Sequence, residues 1–550
     1  TRLYRAFREA HAAHDDLRRA ARAGELDPQT RHRWPAIVLR TPKGWTGPHE
    51  VDGVQVEGTS RSHQVPLSGV KDDPDHLRLL EKWMRSYRPD ELFDADGAPV
   101  AAVAALAPDG DLRMSATPHA NGGRLRADLP LPGLEAFEVP VDTAARGGSR
   151  HENTEPFGRL MRDIYAADTR PDGGGTFRLF CPDETASNRL QAVFEQTDRC
   201  LVAPLEPTDE HLGADGRVVE VLSEHLCQGW LEGYVLSGRH GVFATYEAFA
   251  MVSASMTVQH VKWMQHAHEL GWRAPVASLN LLLTSTCWRN DHNGFSHQGP
   301  GLIDALIPLS PEVVRVWLPP DANTTLSIAD HCLRSSDHVN LIVVDKQKHL
   351  QYLTLEEAHR HCAAGAGVWE WAGNEHGARP DIVLACAGDV ATQETLAAAR
   401  LLREFTPDLS VRVVNVVDLM ALMPENDHPH GYADSQFDEL FTEHRHVVFA
   451  FHGYPRAIHQ LVHGRSDPGR FHVRGFSEQG TTTTPFDMVV QNRMSRFHLA
   501  TEALRRSGRR VEGWDRLKAH CDDSLRRHEA YVREHLEDMP EVRDLPALAR

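Results

Sequence analysis

From residue 176 onward the chain alternates short β-branched, apolar runs with longer and more polar stretches. GTFRLF at 175–180, VVEVL at 218–222, VFATY at 242–246, VASLNLLLT at 276–284, VVRVWL at 313–318 and VNLIVV at 339–344 are spaced in this way. Runs continuous in Val, Ile and Leu belong to strands buried on both faces, and helical spacers between them make neighbouring strands parallel. After LEEAHRHCAAG at 355–365 the pattern restarts with DIVLACAG, VRVVNVVDL, HVVFAFHG and FHVRGF, and helical segments are expected near 486–506 and 513–538. The expected fold class is α/β, with parallel sheets covered by helices in a domain at 151–352 and a further α/β domain at 353–550.

Residues 1–150 follow another rule. AIVLR at 36–40 predicts a buried strand running into the loop TPKGWTGP, whereas 107–150 has Gly/Pro turn chemistry and little periodicity, which predicts an inter-domain linker. The chain opens at Thr1 inside an amphipathic charged stretch, so a preceding segment is expected.

Charge and cysteines narrow the function. A net charge of −18 disfavours a nucleic-acid partner. No run reaches the length of a membrane span and no secretory leader opens the chain, so no membrane partner and a cytoplasmic location are expected. The 8 Cys are scattered without a Cys-x-x-Cys pair, as expected of reduced thiols. Among 34 His, pairs such as His428/His430, His444/His446 and His266/His268 arise by chance and are not expected to bind metal.

The densest polar cluster, RNDHNGFSHQGPG at 289–301, directly follows a buried-strand run, the place where α/β sheets bind ligands. His292, Asn293 and His297 offer donors, acceptors and a proton carrier to a hydroxyl-rich substrate; a helix-capping polar turn is the alternative. In DETASNRL, Ser187 and Arg189 stand at a predicted strand-to-helix junction that suits an anion, or else an ordinary helix start. Lys346 and Lys43 are strand-end cations, either anion-binding or solvated. Glu224 heads an apolar helix, as a buried proton-handling acid or a simple helix-start acid, and Tyr246 and Phe249, three apart, fit a core face better than a cofactor platform. Phosphate-loop, serine-hydrolase and dinucleotide motifs are missing.

Taken together, RWPAIVLRTPKGWTGP, SRSHQVPL, EKWMRSYRPDELFD, PHANGG, CPDETASNRL, LSEHLCQGWLEGY, DHNGFSHQ, LPPDANT, ACAGD, VRVVNVVDLM and EQGTTTTPFDMVV resemble the phosphoketolases from about Trp34 to about residue 505. That resemblance implies a transketolase-like fold, thiamine diphosphate with Mg²⁺, and cleavage of xylulose 5-phosphate and/or fructose 6-phosphate by inorganic phosphate to acetyl phosphate and an aldose phosphate. It makes 1–150 the end of the diphosphate-binding domain plus a linker, and 151–352 the pyrimidine-binding domain. It gives Glu224 the cofactor ring nitrogen, Tyr246 and Phe249 the cofactor ring, and His63 and His297 the sugar hydroxyls and proton transfers. Asn293 becomes a polar contact to bound intermediates, Ser187, Arg189, His292 and Lys346 a phosphate pocket, and Lys43 an active-site lysine of open role. The same resemblance implies a homo-oligomer built on a dimer.

Departures from the family pattern are also present. Asn290 stands where Gln is usual beside the substrate channel, Gly299 where Asp is common, and Asp345 places a negative charge next to Lys346. No Gly-Asp-Gly followed by Asn, the family's metal and diphosphate signature, occurs, so no metal ligand is assigned and an N-terminal domain is expected to act in cis or in trans. Transketolase-like two-carbon transfer and a non-catalytic assembly or regulatory role remain as alternatives.

Overall fold

The computed structural model describes residues 2–27, 30, 32–63, 65–169, 175–201, 204–290, 293–375, 379–545 and 548. The chain divides into two compact units, Thr1–Thr117 and Pro118–Arg550.

In the first unit, the charged helix Arg2–Arg22 buries none of its side chains. A small core of Val51, Val56 and Leu67 packs with Leu79, Leu80 and Trp83. Helix Pro74–Ser86 starts where the Asp73 carboxylate accepts the Asp75 amide, with Pro at the first turn. The strand expected at 36–40 does not form: residues 32–42 are extended without pairing, and Val38 is 82% exposed. A strand is held by its neighbours' backbone groups, and among the described residues no strand pairs with this run.

In the second unit the segment expected as a linker packs from residue 118 onward. Asn121, 2% exposed, donates to the Trp272 carbonyl and accepts from the Ala274 amide, and Leu134 and Phe137 enter the core. The main sheet comprises β1 (Phe177–Cys181), β2 (Arg199–Cys200), β3 (Leu212–Gly213), β4 (Val218–Glu220), β5 (His240–Tyr246), β6 (Leu279–Thr284), β7 (Val314–Trp317) and β8 (Val339–Val343). Its eight strands lie in the order β7-β8-β6-β5-β1-β4-β2-β3, all parallel. Helices α1 (Glu155–Ala167), α2 (Glu224–Leu236), α3 (Ala254–His268) and α4 (Ala322–Arg334) supply most of the connections.

A second sheet follows, built from β9 (Ala366–Val368), β10 (Ile382–Ala387), β11 (Val411–Val416), β12 (Val447–Phe451) and β13 (Phe471–Arg474), in the order β9-β11-β10-β12-β13, with only β9 antiparallel. Its helices are α5 (Asp389–Phe405), α6 (Arg496–Arg506) and α7 (Trp514–His535). The single helix expected over 486–506 is divided, because Arg493 takes a left-handed φ of 54° between Pro485–Gln491 and α6.

Successive side chains go to opposite faces. On β10, Val383, Ala385 and Ala387 join one cluster while Ile382, Leu384 and Cys386 join another. The first of these clusters also contains Phe243, Leu281 and Leu283 of the main sheet, so one hydrophobic layer runs without interruption between the two sheets. Each fully enclosed Leu or Phe there contributes about 1.5–3 kcal/mol. Asp321 explains the motif LPPDANT structurally: one carboxylate oxygen caps α4 at the Thr324 amide, and the other accepts the Tyr352 and Leu353 amides. All eight cysteines are free.

Candidate active site

The carboxyl ends of β1, β5 and β8 converge on one cluster. Lys346 Nζ, three residues beyond β8, donates to Ser187 Oγ at 2.8 Å and to Tyr246 OH at 2.9 Å, and these two hydroxyls share a 2.6 Å hydrogen bond. The ammonium also lies 4.1 Å from the centroid of the Tyr246 ring. Lys346 is 4% exposed, so its charge acts in a poorly solvated place where it attracts an anion strongly.

The helix expected to start near Ser187 is absent. Residues 185–189 form a turn, Arg189 sits at a left-handed φ of 63°, and only a short 3-10 segment, Gln191–Glu195, follows. Without a helix N-terminus, anion attraction here falls to side chains. Arg189 is partly buried, and among the described residues its guanidinium makes no hydrogen bond or ion pair, which leaves its five donors for a ligand.

An aromatic step adjoins the cluster. Phe249 lies nearly parallel to Tyr246, centroids 6.1 Å apart at 13°, and His297 meets Phe249 edge-on at 5.0 Å and 67°. Both aromatic rings are only partly buried, which suits a platform better than the core role expected from spacing. Glu224 is the first residue of α2, behind the Ser223 cap, and is half-buried.

Glu184 escaped the sequence reading. The residue is 8% exposed, and its Oε2 is buried without a hydrogen-bond partner. Burial, with Asp183 and Glu224 nearby, outweighs the Lys346 charge and a hydrogen bond from the Tyr246 backbone and lifts the carboxyl to about 8, so it carries its proton at neutral pH. The one sequence signal was an acid directly after a buried strand.

The departures from the family pattern have defined places. Asn290, expected beside a substrate channel, is fully enclosed, and its amide donates to the Ser285 and His297 carbonyls at 2.6 and 3.0 Å. It shapes the loop from beneath. Asp345 turns away from the Lys346 ammonium: its Oδ2 accepts from His349 Nε2 at 3.0 Å and from the Gln347 amide. Burial pushes this carboxyl up, but the His349 contact overrides it and holds the carboxyl below its ordinary value. Asn293 lies in the described part of the loop, its amide bonded to the Asn290 carbonyl, and His292 lies outside the described residues. In the first unit, Lys43 Nζ meets His63 Nδ1 at 3.1 Å, so those two candidates are brought together there.

Two clusters have metal-like composition. In Asp52, Asp73 and His76, the imidazole accepts the Gly69 amide on Nδ1 and donates from Nε2 to Asp52, leaving no lone pair for an ion. In Glu247, Cys287 and His452, both carboxylate oxygens already accept, from His452 Nε2 at 2.6 Å and from the Cys287 amide at 2.9 Å. Neither cluster fits Mg²⁺, which prefers open oxygen ligands and retained water. The half-open aromatic step, with Glu224 and the orphaned Glu184 carboxyl near one another, does fit the aromatic ring of thiamine diphosphate.

The fold matches solved transketolases at 13–14% identity. A Pichia stipitis transketolase complexed with sedoheptulose 7-phosphate superposes with a TM-score of 0.51 over 80% of this chain and 55% of its own. The Leishmania mexicana transketolase gives 0.50 over 80% and 52%. Two curated proteins named "Probable phosphoketolase" are far closer in sequence: one from Bradyrhizobium diazoefficiens, 54% identical over 97% of this chain and 66% of its own length, and one from Streptomyces coelicolor, 56% identical over 96% and 66%. The chain thus spans about two thirds of the length of the curated relatives it matches. The family models of the XFP N-terminal domain, of D-xylulose 5-phosphate/D-fructose 6-phosphate phosphoketolase and of the XFP C-terminal domain match residues 5–125, 155–335 and 346–547 in turn, and the chain belongs to the phosphoketolase family.

Proposed function

We propose that residues 118–550 carry the pyrimidine-binding and phosphate-binding part of a phosphoketolase site that cleaves xylulose 5-phosphate and/or fructose 6-phosphate with inorganic phosphate. The observation that carries this reading is Lys346, enclosed and held by the hydroxyls of Ser187 and Tyr246, with Arg189 two residues along the chain from Ser187. An ammonium and a guanidinium in a dry setting make a receptor for a phosphoryl group.

Thiamine diphosphate, when bound, supplies the carbon nucleophile that attacks the ketose carbonyl. Glu224 would hydrogen-bond the pyrimidine ring of that group, and Tyr246 and Phe249 would pack against it. His297, edge-on to Phe249, contacts sugar hydroxyls and takes or returns protons at its ring nitrogens. Glu184, protonated at neutral pH, can donate a hydrogen bond to a bound polar group. Lys346, Ser187 and Arg189, with His292, hold the phosphate; Asn293 contacts substrate and Asn290 braces the loop. Lys43 and His63, paired with one another in the first unit, are the candidates there for an active-site lysine and for proton transfer at sugar hydroxyls.

The domain plan is 1–150 for the end of the diphosphate-binding region and its linker, 151–352 for pyrimidine binding and 353–550 for the C-terminal domain. Mg²⁺ accompanies the diphosphate through ligands outside this chain's assigned residues. Exposed Leu222, Leu226, Trp230, Met251 and Val252 lie in and around α2, and an apolar face of this kind suits a homo-oligomer built on a dimer. A cytoplasmic location fits this chemistry, and no helix among the described residues is long and apolar enough to cross a membrane.

The test is acetyl phosphate production from either ketose phosphate with phosphate, thiamine diphosphate and Mg²⁺, with the chain alone and with the N-terminal third of a relative supplied in cis or in trans. Phosphate-dependent product only in the completed protein is expected. Transfer of two carbons to an aldose regardless of phosphate points to transketolase chemistry, and a completed protein that binds no cofactor points to a non-catalytic subunit.

A further inference from the structure

The second sheet has a ligand crevice of its own, and the main sheet fills it. From β10 the chain moves to β11 on one side and later to β12 on the other, so the carboxyl ends of β10 and β12 form the topological switch point, where open α/β sheets bind ligands. Two residues guard it. Asp389 begins α5 directly after β10, and His452 directly follows β12. Gly388, at φ 101°, lets them approach, since a Cβ there would lie 2.7 Å from the His452 Cβ.

Both residues face the main sheet instead of a ligand. His452 Nε2 donates to Glu247 Oε1 at 2.6 Å, and Asp389 Oδ2 accepts the Asp345 amide at 2.8 Å. Glu247 is the residue after Tyr246, and Asp345 is the residue before Lys346. Glu247 Oε2 also accepts the Cys287 amide, at the start of the loop that carries Asn290 and His297. Trp288 Nε1 donates to the His452 carbonyl at 2.8 Å. Glu247, His452, Asp389, Asp345 and His349 are all at most 2% exposed. The C-terminal domain therefore grips the backbone on both sides of the Ser187–Tyr246–Lys346 cluster.

We propose that Asp389 and His452 are positioning residues that set the separation of Tyr246 and Lys346, and thereby the affinity of the site for inorganic phosphate. The inference rests on the phosphate-pocket reading given above. A shift of the backbone at 345 or 247 moves Nζ or the phenol out of register, and receptor geometry of this kind tolerates displacements of only about 0.5 Å.

The test is calorimetric titration of the chain with inorganic phosphate, alongside thermal unfolding. His452→Asn, whose side chain is too short to span the 2.6 Å contact, and Asp389→Asn, whose single carbonyl oxygen cannot accept both the Asp345 and the Val390 amides, are each expected to weaken phosphate binding about tenfold or more. The two act on different strands, so either one reports if the other fails to fold. Glu394→Gln is the control: it breaks the buried Arg496 pair elsewhere in the same domain and should lower Tm without changing the affinity. Affinity unchanged within twofold in the folded variants, while Lys346→Ala weakens binding tenfold or more, overturns the proposal and leaves the pocket standing. A loss in Glu394→Gln equal to that in His452→Asn also overturns it, because affinity would then follow stability alone. Absence of phosphate binding in the parent chain overturns the pocket and this proposal together.

Discussion

Lys346 Nζ donates to Ser187 Oγ at 2.8 Å across 159 residues of sequence. The contact joins the ends of two strands that are not neighbours in the sheet. It orients an ammonium that would otherwise sweep freely on four methylenes. Lys346→Ala should weaken phosphate binding by about 1.5–3 kcal/mol, roughly ten- to a hundredfold. Lys346→Arg should recover little, because a planar fork does not fit between two hydroxyls already bonded to each other. Titration calorimetry of both variants checks this.

Glu184 gives the protein a pH dependence of definite sign. Its carboxyl lies near 8 in the folded chain and at the ordinary 4.5 when exposed by unfolding. The stability linked to it is complete below 4.5, declines as the unfolded state releases its proton, and is fully lost once the pH passes 8. Glu184→Gln should flatten the fall in unfolding free energy between those two values. Denaturant unfolding at a series of pH values measures the slope.

Glu394 and Arg496 fasten α5 to α6. They are 1% and 3% exposed, and Arg496 reaches the carboxylate through its backbone amide at 2.8 Å, Nε at 3.0 Å and a terminal nitrogen at 2.6 Å. Removing one member leaves a buried charge unpaired, so Glu394→Ala should cost about 3–5 kcal/mol. Glu394→Ala with Arg496→Met should cost less than Glu394→Ala alone. Thermal or denaturant unfolding decides between the two.

Gly388→Ala should destabilise by about 1–3 kcal/mol or more, since a left-handed residue acquires a side chain that His452 already blocks. If phosphate affinity falls as well, the displaced imidazole has carried the effect to Glu247. Paired measurements of Tm and affinity test both statements.

The α/β plan was legible because Val, Ile and Leu runs such as 279–284 and 382–387 announce strands buried on both faces, and they fall where expected. The site was legible in part for the same reason: Tyr246 and Lys346 sit at or just beyond strand ends. The strand expected at 36–40 failed because local propensity does not supply a neighbour, and the helix expected at Ser187 failed because Arg189 turns left-handed, which no side-chain pattern announces. Glu184 and the Glu247–His452 contact were invisible for a further reason. Their character comes from residues brought close only by folding, in the latter case 205 positions apart.

The plugged crevice of the second sheet also bears on how the chain unfolds. The Glu247 carboxylate is held by His452 and the Asp389 carboxylate by the Asp345 amide, so cutting the chain between 352 and 353 leaves on each side a buried carboxylate deprived of a partner. Each uncompensated charge costs several kcal/mol, comparable to the entire stability of an ordinary domain. Residues 118–550 should therefore melt in a single calorimetric transition, and neither sheet should survive alone. What sequence divides into two modules, these buried contacts weld into one cooperative unit.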